Sequence, residues 1–218
     1  MSKAKIAVLI SGSGSNLQAI INACQSGELD AEICLVLSNK ADAYGLLRAH
    51  QAGIETLVID HRNFAGRESF DRELIRQLDQ YQPDILVLAG FMRILSTTFV
   101  EHYLGRLINI HPSLLPRYPG LHTHQRVIDA GDAEHGASVH FVIPELDAGP
   151  VIIQGKLQTR TGETADELAA RVLKLEHRIY PKAVEWLTTG RAQYRDGKAW
   201  LDGEPLAATG YQLEDASV

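Results

Sequence analysis

The sequence predicts an α/β fold, with an open, mainly parallel twisted sheet, helices on both faces, a long C-terminal helix and a small hairpin. Short apolar runs such as 6–10 and 85–89 alternate with segments whose apolar residues recur at helical spacing. The connections between these segments are short, which is typical of right-handed βαβ units. We expect one domain over 1–218, made of a nucleotide-binding-like half (1–110) and a second half (111–218).

The first half is predicted to contain five strands separated by helices. The predicted strands are 6–10, 33–37, 56–59, 85–89 and 107–110. The predicted helices begin near residue 15 and then cover 43–52, 67–81 and 96–103. The strands 6–10, 33–37 and 85–89 are apolar throughout, as expected where helices cover both faces of a sheet.

The second half has weaker signals. Strands are predicted over 137–142 and 151–154, with a turn at 144–150 between them. Thr164 and Glu167 form a capping box that opens the long helix, and Asp196-Gly197 predicts the turn of the hairpin 194–200. Residues 117–136 are expected to form a solvated or substrate-side loop, and the polar tail from Gly203 is expected to be loose.

The composition indicates an ordinary globular protein with an acidic balance. Hydrophobic residues make up 45% and charged residues 22%, and the net charge of −6 argues against nucleic-acid and membrane partners. No apolar run is long enough for a membrane span or a signal peptide. Cys24 and Cys34 are too few for a disulfide scaffold and are read as buried thiols, so a cytoplasmic location is expected.

A glycine-rich loop, residues 11–16, joins the first strand to the first helix. Backbone N–H groups at a helix start favour an anion, and phosphate is the natural candidate. Leu17 occupies the place of the third glycine of a dinucleotide motif, and the second strand ends without an acidic residue. The loop therefore suits one phosphate better than NAD, while a plain turn capped by Ser15 remains an equal alternative.

Asn109 and His111 end the fifth strand, before the proline-bounded loop 112–116. Being two apart, they project to the same side of an extended chain, at the strand end where open parallel sheets bind ligands. Together they can polarise a carbonyl and move a proton, although such residues more often satisfy a turn. His122, His124 and His135 match no zinc spacing, so no metal is expected.

Four motifs, in order, resemble those of the phosphoribosylglycinamide formyltransferases. They are Ile-Ser-Gly-Ser-Gly-Ser-Asn-Leu-Gln-Ala-Ile (10–20), Leu-Ala-Gly-Phe-Met-Arg-Ile-Leu (88–95), Asn-Ile-His-Pro-Ser-Leu-Leu-Pro (109–116) and Leu-Asp-Ala-Gly-Pro-Val-Ile (146–152). The resemblance runs from Ile6 to the final hairpin and implies a formyltransferase, Rossmann-like fold. One departure is Ser13, which stands where the family usually carries Asn.

The resemblance implies formyl transfer from the co-substrate 10-formyltetrahydrofolate to the amine of 5-phosphoribosylglycinamide (GAR) in purine biosynthesis. It implies a catalytic set of Asn109, His111 and Asp147. Asn109 and His111 would stabilise the oxyanion of the tetrahedral intermediate, and Asp147 would favour the charged form of His111 and relay a proton. The second half of the chain would then hold the folate and the catalytic loop.

The resemblance also implies the binding residues. Those for GAR are Gly14, Ser15, Asn16 and Glu176. Those for folate are Arg67, Met92, Arg93, Ile94, Leu95, Asn109, Ile143, Pro144, Glu145, Leu146 and Asp147. Without the resemblance, Glu176 would be read as a solvated helix residue and Arg67 as a surface charge.

Two alternative functions remain open at this point. A methionyl-tRNA formyltransferase would need a further basic RNA-binding domain, and a formyl-folate hydrolase usually carries an N-terminal regulatory domain. A dinucleotide-dependent protein lacks support, because the third glycine and the ribose-binding acid are missing. Small-molecule partners are expected, and a monomer and a homodimer are both compatible with the sequence.

Overall fold

The computed structural model describes residues 3–214, and a twisted sheet forms its centre. The strands are β1 (Ala4–Ile10), β2 (Ala31–Ser38), β3 (Thr56–Val58), β4 (Ile85–Leu88), β5 (Leu107–His111), β6 (Glu134–Phe141), β7 (Val151–Gln158), β8 (Ala192–Arg195), β9 (Lys198–Leu201), β10 (Glu204–Pro205) and β11 (Tyr211–Glu214). The helices are α1 (Ser15–Ser26), α2 (Tyr44–Gln51), α3 (Arg67–Tyr81), α4 (Thr97–His102), α5 (Thr123–Ala130) and α6 (Ala165–Thr188). The α/β prediction is confirmed, with predicted and observed boundaries close throughout the first half.

Eight strands form the main sheet, in the order β3-β2-β1-β4-β5-β6-β7-β11. Strands β1 to β5 pair in parallel, whereas β6 is antiparallel to both β5 and β7. Strand β5 therefore has a parallel neighbour on one side and an antiparallel neighbour on the other. Its Asn109 lies opposite Leu88 of β4 and opposite His140 of β6.

Alternate residues of each strand are buried on opposite faces of the sheet, because successive side chains of a strand point to opposite faces. On β1, Ile6, Val8 and Ile10 pack with the buried residues of α1 and α6, whereas Ala7 and Leu9 pack with those of α3 and α4. Both faces are covered by helices, which explains why the strand is apolar at every position from Ile6 onward.

Helix α6 anchors the second half to the first. Its capping box is present, since the Thr164 hydroxyl accepts from the Glu167 N–H and the Glu167 carboxylate accepts from the Thr164 N–H. The buried Tyr180 hydroxyl donates to the Leu88 carbonyl at 2.8 Å, at the carboxyl end of β4. Pro181 lies inside the helix, which continues to Thr188.

The prediction of a loose tail from Gly203 is wrong for the part that the structure describes. Strand β11 pairs in parallel with β7 and becomes the edge of the main sheet. Leu213 packs on the core, and the Tyr211 ring meets the Trp186 ring edge-on at 5.3 Å. The open edge of β7 supplies backbone partners that local sequence cannot reveal. Residues 215–218 lie outside the described range.

The prediction of a loop over 117–136 is also wrong in part, because α5 and the start of β6 lie within it. Gly131, in the left-handed conformation, ends α5, and Val127 buries its side chain in the core. Residues 117–122 form the connection that remains. The prediction that Cys24 and Cys34 are buried also differs from the structure, in which both are only partly buried.

We predict that Gly136→Ala destabilises the fold, because Gly136 lies close to Gly155 where β6 and β7 pair antiparallel in the main sheet. A Cβ at position 136 would lie 1.9 Å from the Gly155 carbonyl oxygen, so the backbone would have to move. The free energy of unfolding, from urea denaturation, should fall by about 1–3 kcal/mol. Gly12→Ala is the control, because a Cβ there meets nothing within 4 Å. Equal midpoints for the two variants would contradict this packing argument.

Candidate active site

The carboxyl ends of β1, β4 and β5 lie side by side and carry most of the predicted site. The glycine-rich loop follows β1, residues 89–96 follow β4, and Asn109 and His111 lie on β5 itself. In open α/β sheets this edge is where ligands bind. The antiparallel strand β6 closes the edge on the far side of β5.

His111 is buried and has a defined orientation. Its Nε2 lies 2.9 Å from the Tyr118 carbonyl oxygen, which can only accept, so Nε2 carries a proton. Its Nδ1 faces the Asp147 carboxylate, with 3.6 Å between Nδ1 and Oδ2. This separation is an ion-pair distance and exceeds that of a direct hydrogen bond.

Asp147 reaches this position from the turn between β6 and β7. It adopts a left-handed backbone conformation with φ of 51°, and its side chain is only 8% exposed. Its Oδ2 accepts from the Gly120 N–H at 2.8 Å, which ties the turn to the segment after His111. The structure therefore brings the predicted acid beside the predicted imidazole.

Asn109 is held by a histidine on the neighbouring strand. The Asn109 Nδ2 lies 3.3 Å from His140 Nε2, while His140 Nδ1 lies 2.9 Å from the Phe141 carbonyl oxygen. Burial lowers the pKa of His140 to about 4, so the ring is neutral near pH 7. With its proton on Nδ1 for the carbonyl, Nε2 accepts from the amide and fixes which way the Asn109 carboxamide points.

The loop before α1 is shaped to expose backbone N–H groups. Gly14 precedes the helix with φ of 68°, and a Cβ there would lie 2.6 Å from the Cα of Gly45. Ser15 is the first helical residue, so its predicted capping role is wrong. The Arg48 guanidinium donates from Nε to the Ser13 carbonyl at 2.8 Å. A cavity of about 660 Å³ opens beside this loop and is lined by Ser15, Gln18, Arg48, His177 and Lys182 among others.

Asn16 and Glu176 form a buried pair across α1 and α6. The Asn16 Nδ2 donates to Glu176 Oε2 at 2.6 Å. Burial raises the pKa of Glu176 to about 7, against the opposing effect of this hydrogen bond. The Asn16 Oδ1 is buried and has no hydrogen-bond partner within residues 3–214. Glu176 is thus not the solvated helix residue that its type alone suggests.

Residues 92–95 form a wall that is anchored at both ends. The Met92 N–H donates to the Ser11 hydroxyl at 2.8 Å, and that hydroxyl donates to Asn39 Oδ1 at 2.6 Å. At the other end, the buried Asp71 carboxylate accepts from the Ser96 N–H at 2.5 Å. The loop between them is consequently fixed although most of its side chains are exposed.

The remaining predicted folate residues line two exposed segments. Met92 is 64%, Ile94 56% and Leu146 59% exposed, an unusual display of large apolar side chains. Arg93, Pro144 and Glu145 are also exposed, whereas Leu95 and Ile143 are partly buried. Arg67 is exposed at the first residue of α3, one turn before Asp71.

Sequence reasoning missed several residues that hold the site together. His140, Ser11, Asn39 and Asp71 act through contacts with residues far away in the chain, from 25 to 81 positions distant. The sequence signal for Ser11 and Asn39 is their position at the ends of adjacent strands. For His140 the signal is a histidine inside an apolar strand, and only the register of β5 and β6 gives it a partner.

The histidines of the second half do not gather into a metal site. His124 Nδ1 lies 3.0 Å from His135 Nε2, and burial lowers the pKa of His135 to about 4. His122 is exposed at the start of α5. Over the described residues 3–214, no group of three or more histidine, cysteine or acidic side chains has an arrangement that could hold a metal ion.

Comparison with known proteins identifies the family of this chain. The model of the formyl transferase family matches residues 4–184. The chain belongs to the formyl transferase family. This formyl transferase is 55% identical over 210 residues to phosphoribosylglycinamide formyltransferase of Escherichia coli, covering 96% of this chain and 99% of that protein.

Two further relatives agree with this assignment. A solved structure of phosphoribosylglycinamide formyltransferase from Coxiella burnetii superposes on this formyl transferase with a TM-score of 0.93 at 52% identity, covering 97% and 99% of the two chains. The human trifunctional purine biosynthetic protein adenosine-3 is 43% identical over 204 residues, which are 93% of this chain and 20% of that protein. None of the helices within residues 3–214 is long and apolar enough to cross a membrane.

We predict that Glu176→Gln stabilises the protein at high pH. A pKa raised by burial means that the carboxyl supports the fold below its unfolded pKa of about 4.5 and loses that contribution as the pH rises through 7. At pH 8 the variant should therefore exceed the unchanged protein in free energy of unfolding, by about 2–3 kcal/mol. At pH 4.5 the two should agree.

Glu204→Gln, on the exposed strand β10, is the matched control and should show no such dependence on pH. Chemical denaturation at the two pH values measures the difference. A Glu176→Gln variant that is destabilised equally at both pH values would contradict the assignment of a neutral buried carboxyl.

Proposed function

We propose that this formyl transferase moves the formyl group of 10-formyltetrahydrofolate to the amine of 5-phosphoribosylglycinamide. One observation carries the proposal: a carboxamide, an imidazole and a carboxylate converge at the ligand-binding edge of a chain that closely resembles phosphoribosylglycinamide formyltransferases. Cys24 and Cys34 are free thiols, which suits the cytoplasm in which we place the reaction.

The first step in this proposal is attack of the uncharged amine on the formyl carbon. The carbonyl oxygen then becomes an oxyanion, and fixed donors directed at it stabilise the transition state by roughly 2.7–4 kcal/mol each. Asn109 supplies one N–H, because its Nδ2 has two hydrogens and His140 accepts only one. The neutral His140 ring is what keeps this donor in place.

The second step moves a proton and breaks the bond between the formyl carbon and the folate nitrogen. The attacking nitrogen loses one proton and the departing folate nitrogen gains one, so the step balances without a further reactant. His111, when protonated, provides a charged donor to the oxyanion. Asp147 lies beside the ring, with 3.6 Å between Oδ2 and Nδ1. This gap is too short to hold a water between the two atoms, so a water that relays the proton would contact both groups from the side.

The GAR site in this proposal lies at the start of α1. The phosphate takes the N–H groups of Gly14, Ser15 and Asn16, and Arg48 adds positive charge close by. The buried and unpartnered Asn16 Oδ1 and the Glu176 carboxyl accept donors from the glycinamide part of the ligand. An unsatisfied buried oxygen of this kind is typical of a binding site awaiting a donor.

The folate site occupies the other side of Asn109. The exposed apolar side chains of Met92, Ile94 and Leu146 would cover the heterocycle, and backbone groups of 92–95 and 143–147 would pair with its polar edge. Arg67 would bind the acidic end of the co-substrate from the start of α3.

An acceptor assay distinguishes this function from its alternatives. The protein is mixed with 10-formyltetrahydrofolate and with GAR, methionyl-tRNA or no acceptor, and release of tetrahydrofolate is followed. Release with GAR alone supports the proposal. Release that depends on methionyl-tRNA favours a tRNA formyltransferase, and equal release without an acceptor favours a hydrolase.

We predict that alanine at Asn109, His111 or Asp147 removes formyl transfer while the fold survives. Loss of one oxyanion donor should reduce kcat by about 10²–10³-fold. Circular dichroism and thermal melting report on the fold of each variant, and steady-state kinetics report on kcat. A His111→Ala protein that unfolds, yet keeps its specific activity in the folded fraction, would remove this residue from the catalytic set.

We predict that Arg48→Gln weakens GAR binding more than turnover. Its guanidinium both holds the Ser13 carbonyl and places positive charge beside the phosphate loop. The KM for GAR should rise about tenfold, which corresponds to about 1.4 kcal/mol, while the KM for the folate stays unchanged. Arg76→Gln, which breaks only an exposed pair with Glu73 on α3, is the control. A larger effect on the folate KM than on the GAR KM would show that the phosphate binds elsewhere.

A further inference from the structure

A buried network of hydrogen bonds holds the segment that follows His111. The Ser138 hydroxyl of β6 lies 2.7 Å from the Ser113 carbonyl oxygen and 3.1 Å from the Leu115 nitrogen. The Gln154 side chain of β7 lies 2.7 Å from the Leu115 carbonyl oxygen and 3.0 Å from the Ser138 hydroxyl. Side chains of two strands thus form hydrogen bonds with both the backbone N–H and the backbone carbonyl of one loop residue, Leu115.

The chemistry of the partners fixes the direction of every bond. The Ser113 carbonyl can only accept, so the Ser138 hydroxyl donates to it, and the Leu115 N–H can only donate, so that hydroxyl accepts from it. The Leu115 carbonyl requires a donor, which orients the Gln154 amide with Nε2 toward the loop. The Ser138 hydroxyl then accepts from Nε2 as well, which completes its one donor and two acceptor positions.

Strand β11 completes the network from the edge of the sheet. With its nitrogen turned to the loop, Gln154 presents Oε1 outward, and Gln212 Nε2 donates to this oxygen at 3.3 Å. Gln212 is itself held by the Thr209 carbonyl at 2.6 Å. Gln154 and Ser138 are 1% and 0% exposed, so removal of one partner would leave the others buried and unpaired.

The same loop determines where His111 points. The Ser113 N–H donates to the His111 carbonyl at 2.9 Å, and the Ser113 hydroxyl donates to the Arg117 carbonyl at 2.7 Å. The next residue, Tyr118, supplies the carbonyl that takes the His111 Nε2 proton. A shift of Ser113 or Leu115 would therefore move both the backbone that carries the imidazole and the acceptor that orients it.

We propose that Gln154 is a positioning residue for formyl transfer, which holds the 113–115 segment through Leu115 and Ser138 and so sets the orientation of the His111 ring. This inference rests on the proposed function in so far as His111 takes part in the reaction. Gln154 itself lies in the sheet, and the hydrogen bonds of its side chain go to Leu115, Ser138 and Gln212, none of which belongs to the proposed GAR or folate sites.

The first test compares Gln154→Met, which keeps the length and removes the hydrogen bonds, with Gln158→Met on the same strand. Gln158 is exposed and its amide reaches only Glu134, at 3.3 Å. We expect kcat of Gln154→Met to fall by about tenfold to a hundredfold, because a shift of about 1 Å at a catalytic group has this order of effect. The KM for GAR should change less than about twofold, and Gln158→Met should match the unchanged protein. Unchanged kcat in Gln154→Met overturns the proposal.

Two further measurements separate positioning from general support of the fold. The His111 imidazole signals, followed by NMR, should shift in Gln154→Met and stay in place in Gln158→Met. In Gln154→Glu a neutral carboxyl can donate to the Leu115 carbonyl and a carboxylate cannot, so kcat relative to the unchanged protein should rise as the pH falls from 9 to 6. A flat ratio together with unmoved His111 signals overturns the proposal.

Gln212→Leu is the variant to use if Gln154→Met does not fold. It leaves Gln154 unchanged and removes the donor to Gln154 Oε1, together with the hydrogen bonds from Gln212 to the Thr209 and Gly210 carbonyls. A lowered kcat at an unchanged melting temperature supports the proposal, and full kcat overturns it. Failure of the proposed function is distinguishable, because the unchanged protein would then turn over with methionyl-tRNA or without an acceptor. The kcat ratios among these variants can be measured with whichever acceptor is used.

Discussion

The site depends on the pairing of strand β5 in parallel with β4 and antiparallel with β6. The parallel side aligns the carboxyl ends of β1, β4 and β5, so that the glycine-rich loop, the 92–95 wall and Asn109 share one edge. The antiparallel side places His140 opposite Asn109 and Ser138 opposite His111. A sheet that was parallel throughout would align these strand ends, but it would not place His140 and Ser138 opposite Asn109 and His111. The change of direction at β5 therefore supplies the residues that hold Asn109 and His111 in place.

Two ionisable side chains of this region, His140 and Glu176, lie where burial disfavours their charged forms. Burial holds His140 unprotonated with a pKa of about 4 and keeps Glu176 partly protonated with a pKa of about 7. Each of them has a defined partner, Phe141 and Asn109 for the histidine and Asn16 for the acid. Neutral, fully oriented dipoles in a dry environment stabilise developing charge without reorganising during the reaction.

Much of the first half of the fold can be predicted from sequence, because its signals are local. The apolar runs and helical stripes of residues 4–111 identify the strands and helices to within a few residues. Strand β11 cannot be found in this way, since its short segment becomes a strand only through the open edge of β7. Helix α5 is short, and the glycines and histidines around it favour a loop when read alone.

The same distinction applies to the site. Asn109 and His111 follow from spacing on one strand, whereas the proximity of Asp147 depends on how the turn between β6 and β7 folds back. Only the resemblance to a known family pointed to Asp147 as a site residue, because no local sequence pattern distinguishes it. For Glu176, the local sequence is misleading, because a glutamate on a helix is usually exposed. Only the packing of α1 against α6 buries Glu176 beside Asn16. Gln154 has no local signal at all, because its three partners lie on three different segments.

The geometry at His111 also determines which of its nitrogens is available for chemistry. The Nε2 proton is committed to the Tyr118 carbonyl, so the ring can approach a developing oxyanion with Nε2 only if that segment moves. Nδ1 faces Asp147, but its distance of 3.6 Å is too long for a direct hydrogen bond, and Asp147 Oδ2 already accepts from Gly120. In the proposed reaction, Nδ1 is therefore the nitrogen that can donate to an oxygen of the bound ligand. In that proposal, the segment that Ser138 and Gln154 hold keeps Nε2 on the Tyr118 carbonyl and leaves Nδ1 for the ligand.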